Sequence, residues 1–274
     1  THIIECLFIY DKKFFLRFYK YMNVNIFKYT PAHAAKISFG TTGRYYKNEC
    51  GDEFGTNSWL FRDDIDWKRL ARYEKNHFGN KNRVNIIQFA SSDGSEAYTK
   101  IISLLENYPQ KKADKFFPIK AYDIDEEIVN AARSGYINTC LADRINLQVN
   151  SEDYSKYFSD TDEILNIKED IKLQNQKTLK ATNYLKNRVR FERADMHLVL
   201  ANLTDNSDTI LMCRNVLGYF DNDRIEKFVK IVSNKLKQGS LFIIGEHDTS
   251  NSFIDRYLKE NNFRRVFEYV YQRL

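Results

Sequence analysis

From residue 83 onward the chain repeats one unit: a short apolar run, a polar loop, then a longer stretch with helical spacing. The apolar runs are "RVNIIQFA" (83–90), "FPIKAYDID" (117–125), "RVRFERAD" (188–195), "DTILMCRN" (208–215) and "SLFIIGEH" (240–247). Runs this short, bounded by turn residues, read as strands covered on both faces. The stretches "EAYTKIISLLENY" (96–108), "DEEIVNAARSGY" (125–136) and "DNDRIEKFVKIVSNKLKQG" (221–239) carry apolar residues at helical intervals, and the last two meet a glycine stop. Parallel strands need crossover connections, so this alternation predicts an α/β fold with a doubly wound, mostly parallel sheet. "SFIDRYLKENNF" reads as a helix, and "RRVFEYVYQRL" as strand-like alternation suited to an antiparallel addition at the sheet edge.

Other segments are less regular. Residues 1–55 are aromatic-rich without a clear period and read as a small N-terminal region; residues 56–274 form the main domain. "DDIDWKRLARYEKNHF" (63–78) predicts a helix behind an Asp cap. Residues 141–187 are polar and mostly helical in pattern, a connecting excursion. With 43% hydrophobic residues among 274, a packed core is within reach. A net charge of +5 suits an anionic substrate, and the chain has no basic run, Lys111-Lys112 and Arg264-Arg265 being pairs, so nucleic acid is not expected. Cys6, Cys50, Cys140 and Cys213 are scattered, which predicts reduced thiols and a cytoplasmic location, with neither zinc nor disulfides. The five histidines show no metal-ligand spacing, so no metal is expected. No run approaches the roughly 18 apolar residues of a membrane span, so no membrane insertion is expected.

In an open α/β sheet, ligands bind beyond the carboxyl ends of the strands. The first loop, Ala90 to Glu96, holds one glycine, Gly94. A dinucleotide pyrophosphate calls for several, and ATP for a Gly-rich Lys-Ser/Thr loop. A nucleoside without phosphates needs less. The second strand ends in Asp123, which could accept from both ribose hydroxyls; the third ends in Asp195-Met196, an acid for an adenine amino group beside an apolar residue for its ring. Together these point to S-adenosylmethionine. Each residue also has a plainer reading: a strand-terminal Asp, like Glu96 at a helix start, often caps a helix. The fourth run ends in Cys213-Arg214-Asn215, with Tyr219-Phe220 just beyond, and those two rings fit core packing equally well.

Five stretches resemble, in order and spacing, the chemotaxis-receptor glutamate methyltransferases of the CheR type. They are "TNSWLFRD" (56–63), "FASSDGSEAYT" (89–99), "AYDIDEEIVNAARSGY" (121–136), "FERADMHL" (191–198) and "LMCRNVLGYFDNDR" (211–224); "LKQGSLFIIGEH" (236–247) is similar too. The resemblance implies a class I, Rossmann-like S-adenosylmethionine methyltransferase. It implies that Thr56 and Ser58 line the amino-acid end of the cofactor, that Glu96 holds its ammonium, Asp123 its ribose, and Asp195 and Met196 its adenine. Arg214 and Asn215 would line the pocket, with Gly94 in its loop. Arg62 would reach the reaction centre and Tyr219 would lie near the transferred methyl. The implied acceptor is an exposed glutamate of a protein such as a chemoreceptor, and the implied product is a methyl ester with S-adenosylhomocysteine. The chain departs from the family pattern in the loop, Asp-Gly-Ser-Glu-Ala in place of Thr-Gly-Glu-Glu-Pro, and at Asp195, where Asn is usual. Methylation of a small molecule or of nitrogen, and a non-catalytic cofactor-binding module, are the competing readings. Arg62, Arg214, Asn215 and Tyr219 argue against the module, which needs no arginine at a reaction centre.

Overall fold

The computed structural model describes residues 45–47, 53–55, 58–161, 177–203 and 206–274. They belong to one compact unit, Phe39–Leu274. Most of the expected N-terminal region, and Thr56, lie outside the described residues. Within that region a short antiparallel pair forms, β1 (Tyr45–Lys47) with β2 (Glu53–Gly55).

The strands are β3 (Asn85–Phe89), β4 (Ile119–Asp123), β5 (Tyr136–Thr139), β6 (Phe158–Thr161), β7 (Lys177–Ala181), β8 (Val189–Arg193), β9 (Thr209–Cys213), β10 (Leu241–Ile243), β11 (Phe263–Phe267) and β12 (Val270–Arg273). The main helices are α1 (Trp67–His77), α2 (Ser95–Asn107), α3 (Glu126–Ser134), α4 (Leu141–Asn150), α5 (Met196–Ala201), α6 (Asn222–Lys235) and α7 (Ser252–Glu260). The central sheet has seven strands in the order β11-β12-β10-β9-β3-β4-β8. β8, β4, β3, β9 and β10 are parallel neighbours, and β12 runs antiparallel between β10 and β11. The expected doubly wound α/β sheet is therefore present. The closing segment is a hairpin whose antiparallel member lies inside the sheet and whose outer strand, β11, forms the edge.

The continuous apolar runs mark strands covered on both faces, since β3, β9 and β10 are buried throughout. Their residues alternate between two cores. Ile86, Ile210, Met212 and Ile243 pack on one face with Ala97, Tyr98 and Ile101 of α2 and Val129 and Ala132 of α3. Ile87, Leu211, Cys213 and Phe242 pack on the other with Ile225, Phe228 and Val232 of α6 and Ile254 and Leu258 of α7. Truncating fully buried Phe228 to Ala would cost about 3–5 kcal/mol.

The excursion differs from its helical expectation. After α4 its described residues form β6 and β7, and with β5 they make a separate antiparallel sheet in the order β5-β7-β6. Each strand has only four or five residues, and β6 buries only Phe158 outright, so the period of two is too short to stand out against a polar background. Phe158 fixes this small sheet to α2 by an edge contact with Tyr98, ring centroids 5.9 Å apart.

Candidate functional site

Strand order reverses between β3 and β9, with β4 and β8 on one side and β10 on the other. Phe89 pairs with Cys213, so the loop after β3 and the segment after β9 emerge side by side. A crevice at such a reversal is where open α/β sheets hold ligands.

The loop after β3 is tightly wound. Ala90, Ser92 and Gly94 all have positive φ, at 50°, 50° and 87°. Ser91 N donates to Tyr122 O at 3.0 Å, and Gly94 N to Ser91 O at 3.0 Å. Asp123, at the end of β4, holds the loop: one carboxylate oxygen accepts from Ser92 N at 2.8 Å and the other from Asp125 N at 3.2 Å. Burial raises the Asp123 pKa against these backbone bonds. Each oxygen keeps a second lone pair, so a ribose hydroxyl could still donate to it. Gly94 has a reason the sequence did not reveal: a Cβ there would lie 2.6 Å from Phe191 Cζ.

Glu96 opens α2 but does not cap it. Its oxygens accept from Gln88 Nε2 at 3.3 Å and from the Arg214 guanidinium. Arg214, leaving β9, has a side chain only 1% exposed and forms a second ion pair, with Asp64. The Trp67 ring lies 5.0 Å from the guanidinium. Burial opposes the Arg214 charge, but Glu96 and Asp64 outweigh it and raise its pKa. Burial also raises the Glu96 pKa, against the pull of Arg214 and Arg62.

The entry segment delivers Arg62 to the same cluster. Ser58 is buried, and Phe61 is held at φ 49° while its N–H donates to Thr99 Oγ1 at 2.9 Å. Arg62 is half-buried, 3.6 Å above the Trp59 ring, and its carbonyl accepts from Trp67 Nε1 at 2.9 Å. Burial, then nearby Arg214, lower the Arg62 pKa, while Glu96, Asp64 and Tyr219 act in the opposite sense. Tyr219 is 50% exposed in a 3₁₀ turn, so it is not a core residue; its ring centroid lies 5.1 Å from that of His247. Phe220 does pack against the second core.

Asn215 adopts φ 58°. Its N–H donates to Asp248 at 2.7 Å, and its side-chain oxygen accepts from His247 N at 3.0 Å. Asp248 also accepts from Gly218 N and Gly245 N, which binds the β9 and β10 exits together. A Cβ on Gly245 would come within 2.2 Å of Asn215 Oδ1.

Glu96, Arg214, Arg62 and Tyr219 are thus brought together, with Asn215 following Arg214. Asp123, Asp195 and Met196 lie along the β4–β8 side of the carboxyl edge. Asp195 caps α5, accepting from His197 N at 2.7 Å and Leu198 N at 3.3 Å, and Met196 packs partly into the second core. The plainer reading of Asp195 is therefore realised. Sequence reasoning missed Asp64 and Asp248. Asp64 sits in the acidic run before α1, which reads as a helix start; the actual cap is Asp66, accepting from Arg69 N at 3.0 Å.

Five buried polar atoms of these segments have no hydrogen-bond partner among the described residues: Arg214 Nε, Asn215 Nδ2, Ser91 Oγ, Ser95 Oγ and Gln88 Oε1. Orphaned groups of both kinds are costly unless something pairs with them. S-adenosylmethionine, with an ammonium, a carboxylate and ribose hydroxyls, offers matching chemistry. Among the described residues, no helix is long and apolar enough to cross a membrane.

Comparison with known proteins agrees. The family described as CheR methyltransferase, SAM binding domain, matches residues 57–263. The "Chemotaxis protein methyltransferase" of Borreliella burgdorferi is 27% identical over 216 residues, 76% of this chain and 70% of that protein. The "Chemotaxis protein methyltransferase 1" of Vibrio cholerae is 25% identical over 211 residues, 75% of this chain and 70% of that protein. With a parallel sheet whose strand order reverses at its centre and a family match over most of its length, the chain belongs to the CheR methyltransferase family and is an S-adenosylmethionine-dependent methyltransferase of the CheR type.

Proposed function

We propose that the methyl acceptor is a glutamate carboxylate exposed on an acceptor protein of the chemoreceptor kind, and that Arg62 aims it. The observation that carries this reading is the half-buried Arg62 guanidinium, stacked on Trp59 and close enough to exposed Tyr219 and to the Glu96–Arg214–Asp64 ion pairs to feel their charges. The names of the relatives support a chemotaxis role. In the same reading Glu96, Arg214 and Asn215 border the methionine end of the cofactor with Ser58 and Thr56; Asp123 serves the ribose, and Asp195 and Met196 the adenine.

Bound S-adenosylmethionine supplies an electrophilic methyl whose C–S bond electrons stay on sulfur. The acceptor oxygen brings the electron pair for the new C–O bond. A glutamate is ionised at neutral pH, so no residue need act as a strong base. What the chain must supply is aim, and holding two reactants in line can remove much of the barrier. A guanidinium is suited because its planar fork matches carboxylate geometry. Tyr219, exposed and beside His247, is placed to contact either the methyl or the acceptor.

Arg62→Lys keeps the charge and loses the fork. It should bind the cofactor but lose most of its turnover, about 10- to 100-fold, since one misaimed contact can cost that much. Labelled methyl carried on the acceptor protein should be released as methanol in mild base. Label that resists base would contradict carboxyl methylation. Unchanged turnover in Arg62→Lys would remove the aiming role alone.

A further inference from the structure

The methyl donor carries a net positive charge, because sulfonium and ammonium outweigh one carboxylate. Its product, S-adenosylhomocysteine, has lost the sulfonium charge and is net neutral. Yet the proposed site contains two arginines, Arg62 and Arg214, which would by themselves favour the product. The structure sets two acids against them. Glu96 and Asp64 both pair with Arg214, and Asp64 has a side chain only 4% exposed. Its second oxygen accepts from Glu246 N at 3.3 Å, so it is fixed from two directions. Lys100, which also feels Glu96 and Arg214, is neutralised by a fully buried ion pair with Glu74.

We propose that Asp64 is a specificity-determining residue: it cancels the charge of Arg214, so that the site accepts the cationic donor and lets the neutral product go. This rests on the reading of the Glu96–Arg214 crevice as the cofactor site. Buried charges are weakly screened, so one uncancelled positive charge acts strongly on a nearby sulfonium. The chain here relies on an acid two residues beyond Arg62, on the same entry segment that carries the aiming arginine.

The test is the ratio of two dissociation constants, for S-adenosylmethionine and S-adenosylhomocysteine, measured by calorimetry without an acceptor. Asp64→Asn keeps the size of the side chain and removes its charge. Affinity for the donor should fall about tenfold or more, and for the product less than about threefold. Asp64→Glu should keep the wild-type ratio. Equal weakening of both ligands would make Asp64 a mere tether and overturn the proposal, as would an unshifted ratio. Arg214→Gln provides a second, independent variant. It leaves an uncancelled acid, so the ratio should move the opposite way, toward the donor; a shift in the same direction as Asp64→Asn overturns the proposal. Glu96→Gln separates the two levels. If it weakens neither ligand, the cofactor does not bind in this crevice and the site reading falls; if it weakens them while the Asp64→Asn ratio is unchanged, only the role of Asp64 falls.

Discussion

Gly94 is constrained twice over. Its φ of 87° disfavours any side chain, and a Cβ would meet the Phe191 ring at 2.6 Å. A left-handed alanine costs about 1–2 kcal/mol and overpacking about 1–3. Gly94→Ala should therefore lose about 2–5 kcal/mol in urea denaturation, and Phe191→Leu in the same chain should restore part of it. An unchanged denaturation midpoint would mean that the loop rearranges freely. The lone glycine was visible in the sequence as a special position, but Phe191 lies on a strand far along the chain, and nothing local betrays it. Glu96 shows the same limit. As the second residue of a helix it reads as a dipole or capping acid, and only the register of β3 beside β9 brings Arg214 to it.

Among the elements, α4 carries an unusual acid. Asp143 is 1% exposed, with one oxygen accepting from Cys140 N at 2.8 Å and the other without a hydrogen-bond partner among the described residues. Burial pushes its pKa up to about 7, with a further push from Asp93 in the loop after β3. In the unfolded chain an Asp titrates near about 3.9. Below that value both states are protonated and the stabilising effect is complete. As pH rises toward 7 the folded chain retains a proton that the unfolded chain gives up, so stability falls, and above about 7 the effect is lost. Asp143→Asn removes this dependence while keeping an acceptor for Cys140 N. Its stability relative to wild type should rise by about 1–3 kcal/mol between pH 5 and pH 8, measured by chemical denaturation at both values. A constant difference would place the titration elsewhere. The surrounding small sheet was not legible in the sequence because its strands are too short to show a period. By contrast, β3, β9 and β10 were legible because burial on both faces leaves an unbroken apolar run.

At the scale of the whole molecule, the alternation of strand and helix gave away the sheet, and the polar ends of its strands pointed to its carboxyl edge as the place for a ligand. Strand order within the sheet was not written locally, because it depends on which crossover packs against which face. The closing hairpin illustrates this. Its alternation was readable, but not that β12 pairs directly with β10 while β11 lies outside it. Val270 and Tyr271 on β12 are fully buried, and Tyr271 Oη donates to Asp255 at 3.0 Å. A chain stopped after residue 262 would bare the edge of β10 and both cores beneath it. Such an apolar edge is a template for pairing with other chains, so the shortened protein should elute as large aggregates in size-exclusion chromatography.

The position of β12 also bears on how the protein comes into being. A ribosome delivers the strands of the sheet in sequence, and β11 emerges before the strand that must separate it from β10. Until Val270–Arg273 have left the exit tunnel, the slot beside β10 can be filled only wrongly. The sheet's C-terminal half is therefore obliged to wait until Arg273 is clear of the tunnel, while β3, β4, β8 and β9 can already be paired. A pause in translation just before that point would hold the nascent chain in its most aggregation-prone form, and a chaperone bound there would be covering the edge of one short strand.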